Sequence, residues 1–193
     1  LKTAGRIAAQ TAKQVVLQRL REAEREIVYE EYVDKTGEVL SGVVLRVEPR
    51  QIIINLGKGE AILPASEQVR TERYRLGQRL KVHVVEVGKG VRGPQVVVSR
   101  THRDLLRRLI ELEVPEVQRG IVEIKDIARE PGSRSKVSVV ARQEKVDAVG
   151  SCVGQKGTRV NTITQELGGE KIDIIPWSSD AKVFVANSIS PAK

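Results

Sequence analysis

Two glycines separated by two residues form the part of this sequence whose residue types and spacing can do chemistry. Gly154 and Gly157 enclose Gln155 and Lys156 in the string VGSCVGQKGTRVNTI, and Arg159 follows shortly after. Because glycine has no Cβ, the backbone of a ligand can come close to such a loop. The free N–H groups at the start of a following helix attract anions, and the two cationic side chains strengthen that attraction. These five residues therefore predict a site for phosphate groups.

Three kinds of glycine-rich phosphate site can be compared with this spacing. A P-loop requires G-x-x-x-x-G-K-[ST], but only three residues separate Gly150 from Gly154, and Lys156 is not followed by Ser or Thr. A dinucleotide fingerprint requires G-x-G after a strand, whereas the residues before this loop have a helical pattern. The G-x-x-G turn between two helices of a KH fold, which clamps about four nucleotides, fits the spacing. A plain helical hairpin, which would contact no nucleic acid, remains the alternative.

The residues on both sides of the glycines follow the element order of such a fold. THRDLLRRLIELEVPEV predicts a helix, and IVEIKDIARE and SRSKVSVVAR predict a strand pair around a turn at Pro131 and Gly132. VDAVGSCV predicts a short helix before the glycines, and a helix to Leu167, the strand KIDIIPW and a final helix, DAKVFVANSI, follow. Arg134 and Lys136 flank the predicted turn. They are expected to face the groove of the glycine loop, with a solvated hairpin as the alternative.

Residues 37–102 predict a small closed β-barrel. Five short, β-branched runs are separated by Gly, Pro or charged residues: EVLSGVVLRVEP, QIIINLG, EAILP, RLKVHVVEV and QVVVSR. Turns are predicted at residues 57–59 and 88–94. The string ASEQVRTERYRLG has no strand pattern and is expected to cross the end of the barrel.

The barrel holds most of the excess positive charge. Residues 38–102 contain 11 basic and 6 acidic residues, a net charge of +5, which favours an anionic partner. Barrels of this class usually stack bases on aromatic rings, but Leu56, Ile62 and Ala65 stand where such rings are expected. The barrel is therefore expected to supply charge and shape more than stacking. His83 and Tyr74 are the remaining candidates for an RNA contact there.

Residues 6–31 predict one long amphipathic helix, because apolar residues recur near helical spacing from Ile7 to Ile27. We expect it to pack on its own domain, with a rod leading to a further N-terminal part as the alternative. The chain begins with Leu1 and contains no Met, as expected of a fragment. The junction from Ser99 to Leu105 contains no Gly or Pro, so the barrel and the following domain are expected to form one rigid surface.

Composition argues against several functional classes. A single cysteine, Cys152, cannot form an internal disulfide, which is typical of a reducing compartment. No apolar run approaches the roughly 20 residues of a membrane span, and there is no signal-peptide pattern, so we expect a cytoplasmic location without membrane contact. One cysteine and two histidines 19 residues apart make neither a catalytic group nor a metal site. No enzyme activity, metal or cofactor is therefore predicted.

Longer strings resemble one known family. AVGSCVGQKGTRVNTITQELGGEKIDII and VPEVQRGIVEIKDIAREPGSRSKVSVV resemble the first KH domain of the NusA family of bacterial transcription elongation factors. GEVLSGVVLRVE and the INLGKGEAILP segment resemble the family's S1-type barrel, and the leading helix resembles the end of its polymerase-binding N-terminal domain. The resemblance implies an α+β chain in three parts: 1–36, a helical end; 37–102, a five-stranded OB-type barrel; and 103–193, a type II KH sandwich that continues into a link. A second KH domain and most of the N-terminal domain would be missing.

The same resemblance implies a function. The family binds RNA polymerase and nascent single-stranded RNA, works with other antitermination factors, and modulates pausing, termination and antitermination; this part would be a monomer. The RNA-binding residues would be Gly154, Gln155, Lys156, Gly157, Arg159, Arg134, Lys136 and His83. Two alternatives remain: the S1 and KH portion of a phosphorolytic exoribonuclease, in which KH precedes S1, and a ribosomal protein.

Overall fold

In a computed structural model that describes residues 2–90 and 93–190, the chain forms a long helix, a closed barrel and an α/β domain. The helix is α1 (Lys2–Val33). The barrel contains β1 (Val39–Val47), β2 (Gln51–Asn55), β3 (Glu60–Pro64), β4 (Arg79–Gly90) and β5 (Gly93–Ser99). The α/β domain contains α2 (Arg103–Glu113), α3 (Pro115–Gln118), β6 (Val122–Glu130), β7 (Arg134–Ala141), α4 (Ala148–Val153), α5 (Thr158–Glu166), β8 (Lys171–Pro176) and α6 (Ala181–Ile189).

The predicted α+β class and element order are confirmed, with one local difference. The segment from 101 to 117 was expected to be a single helix, but it divides into α2 and α3 at Pro115. Proline has no N–H for the helical ladder and its ring clashes with the preceding turn, so α2 ends before it. The same residue suits the first position of a new helix, where it stands in α3.

The barrel closes in the order β1-β2-β3-β5-β4, with β4 pairing back to β1. Only β3 and β5 run parallel. Irregular registers in β1 and β4 bend these strands, which allows five strands to close on themselves. Inward-facing valines on β4 and β5 are fully buried: Val82, Val84, Val96 and Val98. The segment between β3 and β4 contains a short 3₁₀ helix (Ala65–Glu67) and no strand, as expected; the middle of the predicted turn at 88–94 lies outside the described residues.

The C-terminal part of the long helix rests on the barrel, from Arg25, which lies against Gly93 of β5, to its last turn. Tyr32 is 2% exposed, and its hydroxyl donates to the Leu56 carbonyl over 3.2 Å. Gly59 permits this approach, since a Cβ there would lie 2.8 Å from Val28 Cγ1. The apolar residues from Ile7 to Ile27 remain exposed, and packing of this helix on its own N-terminal domain stays a prediction. No helix in the described ranges is long and apolar enough to cross a membrane.

The α/β domain has a three-stranded sheet in the order β6-β7-β8, antiparallel between β6 and β7 and parallel between β7 and β8. Its core joins Val137 and Val139 of β7 to side chains of the helices, among them Cys152 of α4 and Ile163 of α5. Burial raises the pKa of the Cys152 thiol to about 11, so the thiol stays protonated. This cysteine is a small core residue.

A buried arginine joins the barrel to the α/β domain. Arg100, directly after β5, is 2% exposed. Its Nη1 donates to the Lys81 carbonyl of the barrel at 2.7 Å, and its Nε donates to Glu72 at 3.0 Å. The guanidinium also donates to two groups of the α/β domain, the Glu166 carbonyl at 2.8 Å and the Glu166 carboxylate at 3.2 Å. Burial alone would lower the pKa of Arg100, but Glu72 and Glu166 raise it, so the guanidinium stays charged.

A second buried ion pair holds the start of the α/β domain. Arg129 and Glu170 are 2% and 0% exposed at their side chains, and two guanidinium nitrogens of Arg129 donate to the carboxylate at 2.9 Å. Glu170 also accepts from the Gly132 N–H at 3.0 Å and the Ser135 hydroxyl at 2.7 Å. The third bond of Arg129, to the His102 carbonyl at 2.7 Å, reaches the junction itself. Burial raises the pKa of Glu170, but these donors outweigh it and hold the pKa below its usual value.

We expect Arg100→Gln to lower the free energy of unfolding by about 3–5 kcal/mol, because removing one partner of a buried ion pair leaves the other charge uncompensated. Denaturant unfolding followed by circular dichroism measures the change. The matched control is Arg142→Gln, which removes a guanidinium that is 64% exposed and pairs with Glu123 at the surface. This variant should barely change stability, since exposed pairs contribute little. Similar losses in both variants would contradict the role of Arg100.

Candidate nucleic-acid interface

The glycine loop (residues 154–157) adopts backbone angles that glycine allows and most other residues do not. Gly154 has φ 77° and ψ 172°, a region open essentially to glycine alone, and Gly157 is left-handed with φ 76°. Gly154 also lies against α5, since a Cβ there would stand 2.8 Å from Arg159 Cγ. Lys156, with φ 52°, is one of two non-glycine residues with positive φ in the described ranges. Three of the four loop residues therefore turn the chain in a way that ordinary residues resist.

The loop presents two exposed side chains beside an uncapped helix. Gln155 and Lys156 are exposed, as expected. Helix α5 begins immediately after them with Gly157 at its N-cap, which has no side chain to accept from the first N–H groups. By contrast, Asp147 caps α4 and Asp180 caps α6. Free N–H groups at a helix start, together with a lysine, can bind an oxyanion such as a phosphate.

Arg159 holds the loop in place from behind. Its Nη1 donates to the Ser151 carbonyl of α4 at 2.6 Å and to Glu116 of α3 at 2.8 Å. The pKa of Glu116 lies below its usual value, mainly through its own backbone N–H and further through Arg159. The sequence placed Arg159 among the phosphate contacts, but its guanidinium is engaged with protein groups on both sides. Glu116 was not anticipated, because 43 residues separate it from Arg159 and no local pattern connects them.

Arg134 and Lys136 are already bonded to other groups of the protein. On β7 the side chains of Ser135, Val137 and Val139 are buried. Successive side chains of a strand alternate between faces, so Arg134 and Lys136 lie on the opposite face of the sheet. Arg134 pairs with Asp173 at 2.5 Å, and Lys136 donates to the Ser190 carbonyl at 2.7 Å. A groove shared with the glycine loop stays a prediction.

His83, another predicted RNA contact, is buried in the structure. It is 4% exposed, and its ring stacks on His102 with centroids 4.5 Å apart and planes 9° apart. Burial lowers the pKa of His83, and His102 lowers it further, so the ring is neutral and offers no charge to a phosphate. Tyr74, the other candidate on the barrel, accepts from the Val69 N–H at 3.0 Å and is partly buried.

The two histidines lie together although 19 residues separate them. Ligand atoms of His83, His102 and Asp104 lie within 4.8 Å of one another. Imidazole binds a metal through lone pairs in its ring plane, and two nearly parallel stacked planes cannot both contain one ion. His102 Nδ1 also accepts from the Asp104 N–H at 3.2 Å, as the cap of α2. The stack is therefore a packing contact at the junction rather than a metal centre.

Taken together, the closed barrel and the helix–glycine loop–helix domain define a chain of two modules of nucleic-acid-binding type. Residues 33–99 match the model of the S1 RNA binding domain, residues 100–177 match that of the NusA-like first KH domain, and residues 1–26 match that of the NusA N-terminal domain. The chain belongs to the NusA family.

Three curated relatives carry the name transcription termination/antitermination protein NusA. The chain is 56% identical to that of Halalkalibacterium halodurans, over 98% of this chain and 50% of the relative. Identity is 55% to the Bacillus subtilis protein, over 98% and 51%, and 52% to the Thermus thermophilus protein, over 97% and 49%. The chain thus spans about half the length of the curated relatives it matches.

If Arg159 positions the loop rather than contacting RNA, Arg159→Gln should reduce RNA affinity about three- to fivefold, equivalent to roughly 0.5–1 kcal/mol. The slope of log affinity against log salt should not change, because no phosphate contact is lost. Glu116→Gln should not raise affinity, although it removes a nearby negative charge, and the double variant should lose little more than Arg159→Gln alone. Salt titrations of RNA binding measure all three variants. A slope smaller by about 0.7, with tighter binding by Glu116→Gln, would instead show a direct phosphate contact by Arg159.

Proposed function

We propose that this chain is the RNA-binding part of a transcription factor that associates with RNA polymerase and nascent RNA to modulate pausing, termination and antitermination. The observation that carries the proposal is the glycine loop, with exposed Gln155 and Lys156 at the uncapped start of α5. The names of the relatives support the transcription role. Other antitermination factors are proposed as further partners, and the proposed role is binding rather than catalysis.

The proposed division of labour follows the three parts of the chain. Residues 1–36 would belong to the polymerase-binding region, 37–102 to an S1 barrel, and 103–193 to a KH domain and the start of a link. Gly154, Gln155, Lys156 and Gly157 would receive the sugar-phosphate backbone, because the glycines allow close approach and Lys156 supplies charge. Arg159 would maintain the loop.

The order of the S1 and KH modules argues against the exoribonuclease alternative. In that alternative KH precedes S1, whereas here the S1 match ends at residue 99 and the KH match begins at residue 100. The barrel therefore comes first, which favours the transcription factor over the nuclease portion.

Replacing Gln155 and Lys156 together with Asp tests the proposal. Both side chains are exposed and both glycines remain, so stability should change by no more than roughly 0.5 kcal/mol per substitution. RNA meets two new anions where it had a cation, and affinity should fall at least about tenfold. The salt slope should shrink by about 0.7 for the one phosphate contact removed. Fluorescence anisotropy with a single-stranded RNA measures affinity, and thermal melting checks folding.

A matched control is available in the same domain. Gln143→Asp with Lys145→Asp makes the same charge change at two exposed residues before α4. It should weaken RNA binding by less than about threefold, the level expected of distant screened charges. Unchanged affinity in a folded Gln155/Lys156 variant, or an equal loss in the control, would mean that the glycine loop is only a turn. Association with polymerase is tested separately by a pull-down of the core enzyme at moderate salt. If the chain captures RNA but not polymerase, the proposed association of this chain with polymerase is wrong.

A further inference from the structure

Four exposed arginines lie within ten residues, in the connection from β3 to β4 and at the first residue of β4. The segment 70–79, here the arginine loop, contains four arginines and one acid, Glu72. All four arginine side chains are exposed, and the salt bridges within residues 2–90 and 93–190 include none of them. They are Arg70, Arg73, Arg75 and Arg79. The loop therefore carries an uncompensated charge of +4 on its surface, since Glu72 is committed to Arg100.

The arginine loop is anchored rather than free. Glu72 binds Arg100 at the junction, and the Tyr74 hydroxyl accepts from the Val69 N–H at 3.0 Å. Two backbone bonds tie its far end to β1, from the Gly77 N–H to the Val44 carbonyl at 2.8 Å and from the Val44 N–H to the Gln78 carbonyl at 2.9 Å. A segment whose backbone is anchored loses less conformational freedom when it binds than a mobile tail does. Guanidinium groups carried on such a backbone are suited to phosphate oxygens, to which arginine can donate two bonds at once.

Helix α5 lies between the glycine loop and the arginine loop, so its length gives the distance between them. Its first residue follows Gly157, and beyond its last residue Gly168 lies against Glu72, since a Cβ there would stand 3.3 Å from Glu72 Cγ. A helix of nine residues spans about 13 Å at roughly 1.5 Å per residue. That distance corresponds to about four nucleotides at the roughly 3.4 Å per nucleotide of a stacked strand. The arginine loop thus lies a few nucleotides from the glycine loop.

We propose that the arginine loop is a second phosphate-binding surface, which holds the part of a single RNA strand that extends past the glycine loop. This inference rests on the proposed function. The barrel lacks aromatic rings for stacking bases, and the inference assigns its electrostatic attraction for RNA to these four arginines. An acidic protein surface is the competing partner. RNA is favoured because a strand bound at the glycine loop places phosphates within reach of the arginine loop.

The test compares two lengths of the same single-stranded RNA sequence, 5 and 12 nucleotides, each measured with the full chain. The arginine-loop variant combines Arg70→Gln, Arg73→Gln, Arg75→Gln and Arg79→Gln. The control variant removes four cations from the exposed part of α1, through Arg6→Gln, Lys13→Gln, Arg19→Gln and Arg21→Gln. Anisotropy measures the 12-mer, NMR shift titration measures the 5-mer, and thermal melting establishes that each variant folds.

The 12-mer should lose at least tenfold in affinity for the arginine-loop variant, and its salt slope should fall by about 0.7 for each phosphate contact removed. The 5-mer, which the glycine loop alone can hold, should change by less than about twofold, because only distant screened charges differ. The control variant should bind both RNAs nearly as the parent chain does.

The inference and the proposed function fail in different ways. The affinity of the Gln155/Lys156 variant for the 5-mer tests the glycine loop. The arginine loop is tested by whether its variant loses more affinity for the 12-mer than for the 5-mer. Undiminished 12-mer affinity in the arginine-loop variant would overturn the inference. So would equal losses on both RNAs or in the control variant. Retained 12-mer affinity with lost binding of a poly-glutamate peptide would assign the loop to an acidic protein partner instead.

Discussion

A charged guanidinium that is almost completely removed from water determines how the two domains of this chain sit together. Arg100 donates to the barrel at Glu72 and Lys81 and to the α/β domain at Glu166. A buried charge is tolerated only while its donors are satisfied, so rotating one domain against the other would leave part of the guanidinium without a partner. Arg129 adds a second restraint, because it binds Glu170 inside the α/β domain and the His102 carbonyl at the junction.

This constraint fixes the distance between the two proposed phosphate-binding surfaces. The glycine loop stands at one end of α5, and the arginine loop stands beside the other end through Glu72 and Gly168. Because Arg100 binds both Glu72 and the last residue of α5, the same contact that joins the domains holds the two surfaces at one spacing. A fixed spacing would allow both proposed surfaces to bind one strand without the ordering cost of a flexible linker.

The local sequence pattern was sufficient to predict the helices, the strands and the glycine loop. It was not sufficient to predict the position of side chains whose partners are distant in the sequence. The β-branched runs and Gly or Pro breaks predicted all five barrel strands, and the paired glycines predicted exposed Gln155 and Lys156 between two helices. Arg159 was assigned to RNA because its partner Glu116 is remote in sequence. His83 was assigned to a surface for the same reason, since its stacking partner lies 19 residues away in another element. The four arginines of the arginine loop can be read from the sequence, but only the structure shows that the backbone carrying them is anchored.

The rigid junction is tested most directly by ¹⁵N relaxation of backbone amides in the barrel and in the α/β domain. A single rotational diffusion tensor should describe both sets of amides, because the Arg100 contacts leave no independent motion. In Arg100→Gln the two sets should separate into different correlation times if the variant stays folded. Independent tumbling of the two domains in the unmodified chain would contradict the account.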